Sequence, residues 1–107
     1  MARDRGKDLE REVTSALRRI DEPGAFLFVS DADRRCCVFR RHGEETRVTK
    51  RVSQGAVRAM LDRGMLHLLG RTDETAKFTL SREGKAQLRW RVKQQAKRRS
   101  TERALAS

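Results

Sequence analysis

The apolar residues of this chain come in short runs, and the spacing within each run restricts which element it can form. The first run has helical spacing, so its members share one face of a helix. They are Leu9, Val13, Ala16, Leu17 and Ile20. The sequence Asp-Glu-Pro-Gly at 21–24 ends this helix, because proline cannot continue it and glycine favours a turn. An amphipathic helix over residues 8–20 is therefore predicted.

The runs that follow have strand length and are separated by polar turns. Strands are predicted at 25–30, 36–41, 46–49, 65–69 and 76–80. The first two pair as a hairpin, the segment 46–49 adds a short third strand, and the last two form a second hairpin.

Two further helices are predicted. The second spans 53–63, with Ser53 as its N-cap and Gly64 just past its end. Its predicted buried arc consists of Ala56, Val57, Met60 and Leu61. The third begins after Ser81 as N-cap, and its predicted inner side consists of Leu88, Val92 and Ala96. The order helix, hairpin, helix, hairpin, helix predicts one α+β domain of two layers.

Positive charge is the strongest global property, since the net charge is +11 over 107 residues. The excess lies in two segments. Residues 47–64 hold five bases and one acid, and residues 81–107 hold nine bases and two acids. The rest of the chain is balanced. Concentrated positive charge indicates a polyanionic partner, nucleic acid above all, although solvating charge on helices is the plain alternative.

Enzymatic chemistry finds little support in the residue types. His42 and His67 are the only histidines, and with Cys36 and Cys37 they fit no ordinary zinc spacing. We therefore predict no catalytic residue, no metal and no cofactor. The adjacent cysteines would form a disulfide only with strain, so reduced thiols and a cytoplasmic, nucleoid-associated location are expected. One of the two is predicted to face the core and the other to face outward.

Residues 52–88 resemble the winged-helix family of DNA-binding domains. The resemblance is carried by the helix Ser-Gln-Gly-Ala-Val-Arg-Ala-Met-Leu-Asp-Arg-Gly, by the hairpin after it, and by Leu80, Ser81, Gly84 and Leu88 in the pattern Leu-Ser-x-x-Gly-x-x-x-Leu. The overall order is also similar to the N-terminal part of alphaproteobacterial gene-transfer-agent activator regulators. This chain departs from a usual winged helix, because a hairpin lies where a second helix, which braces the recognition helix, is expected.

The resemblance implies a winged-helix-like domain at 1–96, followed by a basic extension at 97–107. It also implies that helix 53–63 enters the major groove of DNA. On its outward arc, Gln54 and Arg58 have the donors that suit adenine and guanine. Ser53 and the first-turn amides would form an anion site. The predicted phosphate contacts are Arg47, Lys50 and Arg51 before the helix, Arg71 and Lys77 in the wing, and Arg89, Lys93, Lys97, Arg98 and Arg99 in the last helix.

These features predict a double-stranded DNA-binding protein, specifically a bacterial transcription regulator. The alternative is an interaction module that binds transcription machinery such as RNA polymerase. RNA binding is less favoured, because the chain has no tyrosine and no strand has an aromatic stacking pattern like that of the RNP motifs. No membrane partner is expected, since no segment has the length of an apolar membrane span. Trp90 lies almost opposite Leu88 on the helical wheel, and it is expected to pack on another element of the monomer, or else on a second subunit in a homodimer.

Overall fold

A computed structural model describes residues 5–106 of the backbone and the side chains of residues 8–98. These residues form three helices and a five-stranded antiparallel sheet, which confirms the α+β class. The helices are α1 (Arg5–Ile20), α2 (Gln54–Asp62) and α3 (Arg82–Ala106). The strands are β1 (Ala25–Ser30), β2 (Arg35–His42), β3 (Glu45–Val52), β4 (Leu66–Arg71) and β5 (Thr75–Leu80).

The two predicted hairpins belong to one sheet, with strand order β3-β2-β1-β5-β4. The central strand β1 pairs with β2 on one side, where Phe26 lies opposite Phe39. On its other side it pairs with β5, where Leu27 lies opposite Phe78. Five strands are more than a typical winged helix has, and the winged-helix assignment itself stays a prediction.

All three helices pack on one face of this sheet, because a single buried cluster contains residues of each helix and alternate residues of the strands. From α1 it includes Val13, Ala16, Leu17 and Ile20, and Leu9 packs against it. From the sheet it includes Leu27, Cys36, Val38, Val52 and Leu80. The predicted stripe of α1 is confirmed. The opposite face of the sheet, which we call the open face, takes no part in this core.

Helix α2 begins and ends where its sequence predicts. The Ala56 backbone N–H donates to Ser53 Oγ at 3.1 Å, as expected of an N-cap. Gly64 has φ of +70°, the left-handed conformation that ends many helices. Ala56, Val57 and Met60 are buried, but the inclusion of Leu61 was wrong, since 45% of this residue is exposed. It lies at the edge of the apolar arc, where it lines an open groove between α2 and the turn after β1.

Helix α3 departs further from its predicted packing. Leu88 is buried, whereas Val92 is 42% exposed and Ala96 is also exposed, so the predicted inner side is wrong beyond Leu88. The reason is that the middle of α3 packs on the polar flank of α1. There Arg91 donates to Glu10 Oε2 at 2.7 Å and to Thr14 Oγ1 at 3.0 Å. At this turn of α3, the charged Arg91 therefore makes the inward contact that was predicted for the apolar Val92.

The start of α3 is fixed by backbone contact with the start of β4. Ser81 Oγ donates to the Gly64 carbonyl at 2.6 Å, and Ser81 N donates to the Met65 carbonyl at 2.9 Å. Gly84 N donates to Ser81 Oγ, which confirms Ser81 as the N-cap. A Cβ atom at Gly84 would lie 2.1 Å from the Met65 carbonyl oxygen. The glycine of the Leu-Ser-x-x-Gly-x-x-x-Leu pattern therefore permits this close approach.

Strand β3 and Trp90 also differ from expectation. The predicted short strand at 46–49 extends over all of Glu45–Val52 and forms one edge of the sheet. Its pairing with β2 shifts at a bulge beside Thr49, whose hydroxyl donates to the Val38 carbonyl. Trp90 does not pack within the described part of the monomer as expected, since it is 58% exposed on α3.

Candidate nucleic-acid interface

The outward surface of α2 carries the two residues that were predicted to contact base edges. Gln54 and Arg58 are both exposed, one turn apart. Within the described residues, Arg58 makes no hydrogen bond or ion pair, so its guanidinium is free to bind a ligand. Gly55 between them is exposed and presents no side chain. This surface therefore combines a free cation, Arg58, with a position at which a ligand could come close to the helix backbone.

The N-terminus of α2 is not the open anion site that was predicted. Ser53 Oγ accepts from Ala56 N and also donates to Glu12 Oε1 of α1. A carboxylate therefore already lies beside the first turn, where its negative charge opposes an approaching phosphate. Ser53 acts as a cap and as a tie to α1, and its hydroxyl is engaged within the protein.

Gln54 is also held by the protein. Its Nε2 donates to the Arg34 carbonyl at 3.2 Å, which joins α2 to the turn between β1 and β2. A groove of about 500 Å³ runs between these two elements. Its charged lining residues are Asp31 and Asp62 against Arg34 and Arg58. This end of the molecule is therefore nearly neutral, and phosphate attraction has to come from elsewhere.

The three cations predicted to bind phosphates ahead of α2 do not lie on one face of the sheet. Arg47 forms an ion pair with Glu45 at 2.8 Å. Lys50 lies opposite Val38 and so is directed to the helix-bearing side of the sheet. Arg51 lies opposite Cys37, on the open face and away from α2. The period-2 alternation of a strand therefore places Lys50 and Arg51 on opposite faces of the sheet, and phosphate binding by these three residues stays a prediction.

The two predicted wing cations are separated in the same way. Arg71 ends β4 opposite Ala76, on the helix-bearing side, and it is exposed. Lys77 lies opposite Phe28 in the middle of β5 on the open face, with Nζ 5.2 Å from the centre of the Phe26 ring. The turn between β4 and β5 holds Asp73 and Glu74. Lys77 therefore belongs to the open face and not to a wing tip.

Helix α3 carries the largest group of exposed cations. Arg89, Lys93, Lys97 and Arg98 are all exposed. From Gly84 to Arg98 the helix contains no acidic residue. The side chain of Arg99, the remaining predicted phosphate contact, lies outside the described residues. This segment of α3 is therefore a positively charged rod, continuous with the helical turns that pack on α1.

Glu10 connects the end of α2 and the middle of α3 to α1. Arg63 donates to its Oε1 at 2.6 Å, and Arg91 donates to its Oε2 at 2.7 Å. The hydrogen bond from Arg63 is the main reason that the pKa of Glu10 is lowered, with Arg91 adding to it against the opposing effect of burial. The same bond raises the pKa of Arg63. Arg63 and Arg91 therefore stabilise the fold and are not free cations.

The adjacent cysteines point to opposite faces, as predicted. Cys36 is buried in the core, and burial raises the pKa of its thiol. Cys37 is partly exposed on the open face, and both thiols are free. Among the described residues, no group of three or more His, Cys, Asp or Glu is placed to hold a metal ion. In the same part of the chain, none of the helices has the length and apolar content needed to span a membrane.

The open face also carries residues that the sequence analysis missed. Phe26, Phe28 and Phe39 lie there together, a grouping that was not predicted. Their alternation with the core residues Leu27 and Val38 is the signal that could have placed them. No protein-family model, curated protein or solved structure matches this chain. Functional inference therefore depends on these residues alone.

Proposed function

We propose that the protein binds double-stranded DNA and acts as a transcription regulator, with α2 against the major groove and α3 along the phosphate backbone. The single observation that carries this proposal is the acid-free run of exposed cations on α3. A positively charged helix matches the regular negative charge of a duplex. These cations lie on the same continuous helix as Arg91, which joins α3 to α1 through Glu10.

Helix α2 provides the residues that would distinguish one sequence from another. Arg58 is exposed and has no partner within the described residues, and arginine donates two hydrogen bonds to guanine. Gln54 would have to exchange its bond to Arg34 for a bond to a base. The winged-helix resemblance supports the same placement, since α2 is followed directly by the β4–β5 hairpin. Under this proposal, α3 supplies affinity and α2 supplies specificity.

A second candidate function is the binding of a transcription protein such as RNA polymerase. It is favoured by apolar side chains that the monomer leaves uncovered. Leu68 and Leu69 on β4 and Trp90 and Val92 on α3 are all at least 42% exposed. Exposed tryptophan is common at the centre of protein interfaces. Retention of RNA polymerase by the protein after nuclease treatment would favour this function over DNA binding.

Salt dependence tests the primary proposal. If six to eight phosphates are neutralised, log K for a duplex should fall against log salt with a slope of roughly −5 to −7. Replacing Arg89, Lys93 and Arg98 together by Gln removes three exposed charges and should reduce that slope by about 2.7. Circular dichroism would verify that the variant stays folded. An unchanged slope in the triple variant would refute α3 as the phosphate-binding element.

A further inference from the structure

The open face carries an aromatic cluster on its two most central neighbouring strands. Phe26 of β1 and Phe39 of β2 are stacked, with ring centres 5.7 Å apart and planes 17° apart. Phe28 meets Phe39 edge to face at 5.8 Å. All three are partly exposed, and none belongs to the core on the other side of the sheet. Three of the five aromatic residues of the chain thus lie where they contribute nothing to that core.

The charges on this face have one sign. The strand register places four cations there, namely Arg35, Arg41, Arg51 and Lys77. All four are exposed. None of the described strand positions that share this face is Asp or Glu, although the chain as a whole has 15 acidic residues. The face therefore attracts a polyanion more consistently than the nearly neutral groove beside α2 does.

An antiparallel sheet with one face in water ordinarily shows polar side chains there. This face departs from that pattern, because it combines a patch of phenylalanines with cations around it. Val48, opposite Phe39, is 52% exposed and extends the apolar patch toward β3. Such a patch on a monomer marks an interaction surface. Aromatic rings bordered by cations are the combination that binds unpaired bases together with their phosphates.

We propose that the open face is a second binding site, which holds a single strand of DNA. Its bases stack on the rings of Phe26, Phe28 and Phe39, and its phosphates pair with Lys77 on one side and Arg51 on the other. A duplex does not fit this site, because its bases are stacked on each other and offer only their edges. The site lies on the opposite face of the sheet from α2, so it goes beyond the duplex-binding function proposed above.

Lys77 is the residue that responds first when a strand binds. Its ammonium group lies over the Phe26 ring, 5.2 Å from the ring centre, and the same ring is stacked with Phe39. A phosphate attracts the ammonium more strongly than a ring does, so Lys77 moves from the ring to the phosphate. This movement uncovers one side of Phe26 for a base. Lys77 thus protects the ring in the free protein and neutralises a phosphate in the complex.

The choice of DNA over RNA rests on the proposed function, which already brings the protein to DNA. Stacking and phosphate pairing do not by themselves distinguish the two, since the distinction depends on the ribose 2′-hydroxyl. An RNA strand of the same length is therefore the comparison in the test. The proposal that unpaired bases stack on the open face rests only on the residues of that face.

The test uses fluorescence anisotropy with a labelled single-stranded oligothymidylate of about 12 nucleotides, within the range bound by known single-strand platforms. Phe39→Leu removes the ring but keeps an apolar side chain, and it should weaken binding by about tenfold or more. Phe39→Tyr keeps the ring and should bind like wild type. The double variant Lys77→Gln with Arg51→Gln alters only exposed side chains and should reduce the salt slope by about 1.4. Arg11→Gln, an exposed cation on α1, is the matched control and should change nothing.

Crossed measurements separate this site from the duplex site. Arg58→Gln should leave oligothymidylate binding unchanged and impair only the duplex, whereas the open-face variants should do the reverse. If the wild-type protein bound oligothymidylate but no duplex, the proposed function would be refuted and the single-strand site on the open face would still be supported. The proposed single-strand site would be overturned if Phe39→Leu and the Lys77–Arg51 double variant both bound oligothymidylate as tightly as wild type. Tighter binding of the RNA strand than of the DNA strand would overturn the assignment to DNA. If the wild-type protein were a dimer that Phe39→Leu dissociates, the occupant of the open face would be a second copy of this chain and not a nucleic acid.

Discussion

Glu10 shows how much of this fold depends on single residues that no local pattern marks. It accepts hydrogen bonds from Arg63 and Arg91, which are 53 and 81 positions away in sequence. On the helical wheel Glu10 is an ordinary solvated residue, and Arg91 is one basic residue among many. Only the packing of three helices against each other brings these charges together. The pairing therefore could not be predicted from periodicity, which identifies the apolar face of a helix but not its polar contacts.

The lowered pKa of Glu10 predicts a pH-dependent stability. A carboxyl whose pKa is lower in the folded state contributes stability above its unfolded pKa, and this contribution is lost as pH falls through the folded pKa. Glu10→Gln should therefore reduce the free energy of unfolding by about 1 kcal/mol at neutral pH, a modest value because the side chain is 43% exposed. The difference from wild type should shrink as pH falls below the ordinary value of 4.5.

Urea unfolding of both proteins between neutral pH and about pH 3 provides the measurement. Glu45→Gln is the control, since Glu45 pairs with Arg47 in a fully solvated setting and should have almost no effect. A difference between wild type and Glu10→Gln that stays constant with pH would contradict the ion-pair explanation.

Gly84 gives a second prediction at this scale. Ala at this position would put its Cβ 2.1 Å from the Met65 carbonyl oxygen, a backbone atom that cannot rotate away. The bonds from Ser81 to Gly64 and Met65 prevent α3 from moving aside. We expect Gly84→Ala to lower stability by about 3 kcal/mol and the melting temperature by about 10–20 °C. Lys85→Ala, at the exposed neighbouring position, should melt within about 3 °C of wild type, and similar melting of the two variants would refute the close contact.

The elements differ in how far their sequences predict them. The stripe of α1 is confirmed, because five apolar residues at regular spacing leave only one face to bury. The apolar residues of α3 are too few to define such a face, and Val92 and Ala96 were assigned to the inner side although both are exposed. Strand β3 was predicted too short, because its alternating charged residues suit an edge strand but do not distinguish it from a loop.

Truncation of α3 separates its two roles. Ending the chain after Lys93 keeps Leu88 and Arg91, the residues that pack on the core and on Glu10. It removes three predicted phosphate contacts, namely Lys97, Arg98 and Arg99, together with Arg103. It also removes the exposed hydrogen bond between Arg18 and Gln95. The melting temperature should therefore fall by no more than about 5 °C, while affinity for every duplex falls and the salt slope becomes shallower by about 2.7.

Ending the chain after Leu88 instead removes Arg91 and leaves Glu10 with one partner fewer. This shorter protein should be less stable by about 1–3 kcal/mol, for an electrostatic reason and not through loss of apolar burial. Calorimetry on both truncated proteins gives the comparison. If the protein ending at Lys93 bound duplexes as tightly as wild type, the basic half of α3 would have no part in binding.

At the scale of the whole molecule, the sequence predicted the elements but not which strands would be neighbours. The pairing of β1 with β5 joins segments about 50 positions apart, and no local turn specifies it. That pairing decides which residues share a face, since it brings Lys77 beside Phe26 and Phe28. The candidate duplex site on α2 was predictable from one helical wheel. The phenylalanines of the open face could have been placed from the alternation within the predicted β1–β2 hairpin, but Lys77 could not, because its position beside them depends on the pairing of β1 with β5.

The central claim is that duplex DNA is held by α2 and α3 on one side of the sheet. Backbone amide chemical shifts, recorded while a duplex is added to isotopically labelled protein, locate the contact directly. The duplex should be one selected from a random pool by wild-type protein. We predict the largest changes at 54–59 of α2 and 89–98 of α3, with β1 and β2 nearly unchanged. Chemical-shift changes confined to the strands of the open face, with no change in α2 or α3, would contradict the claim.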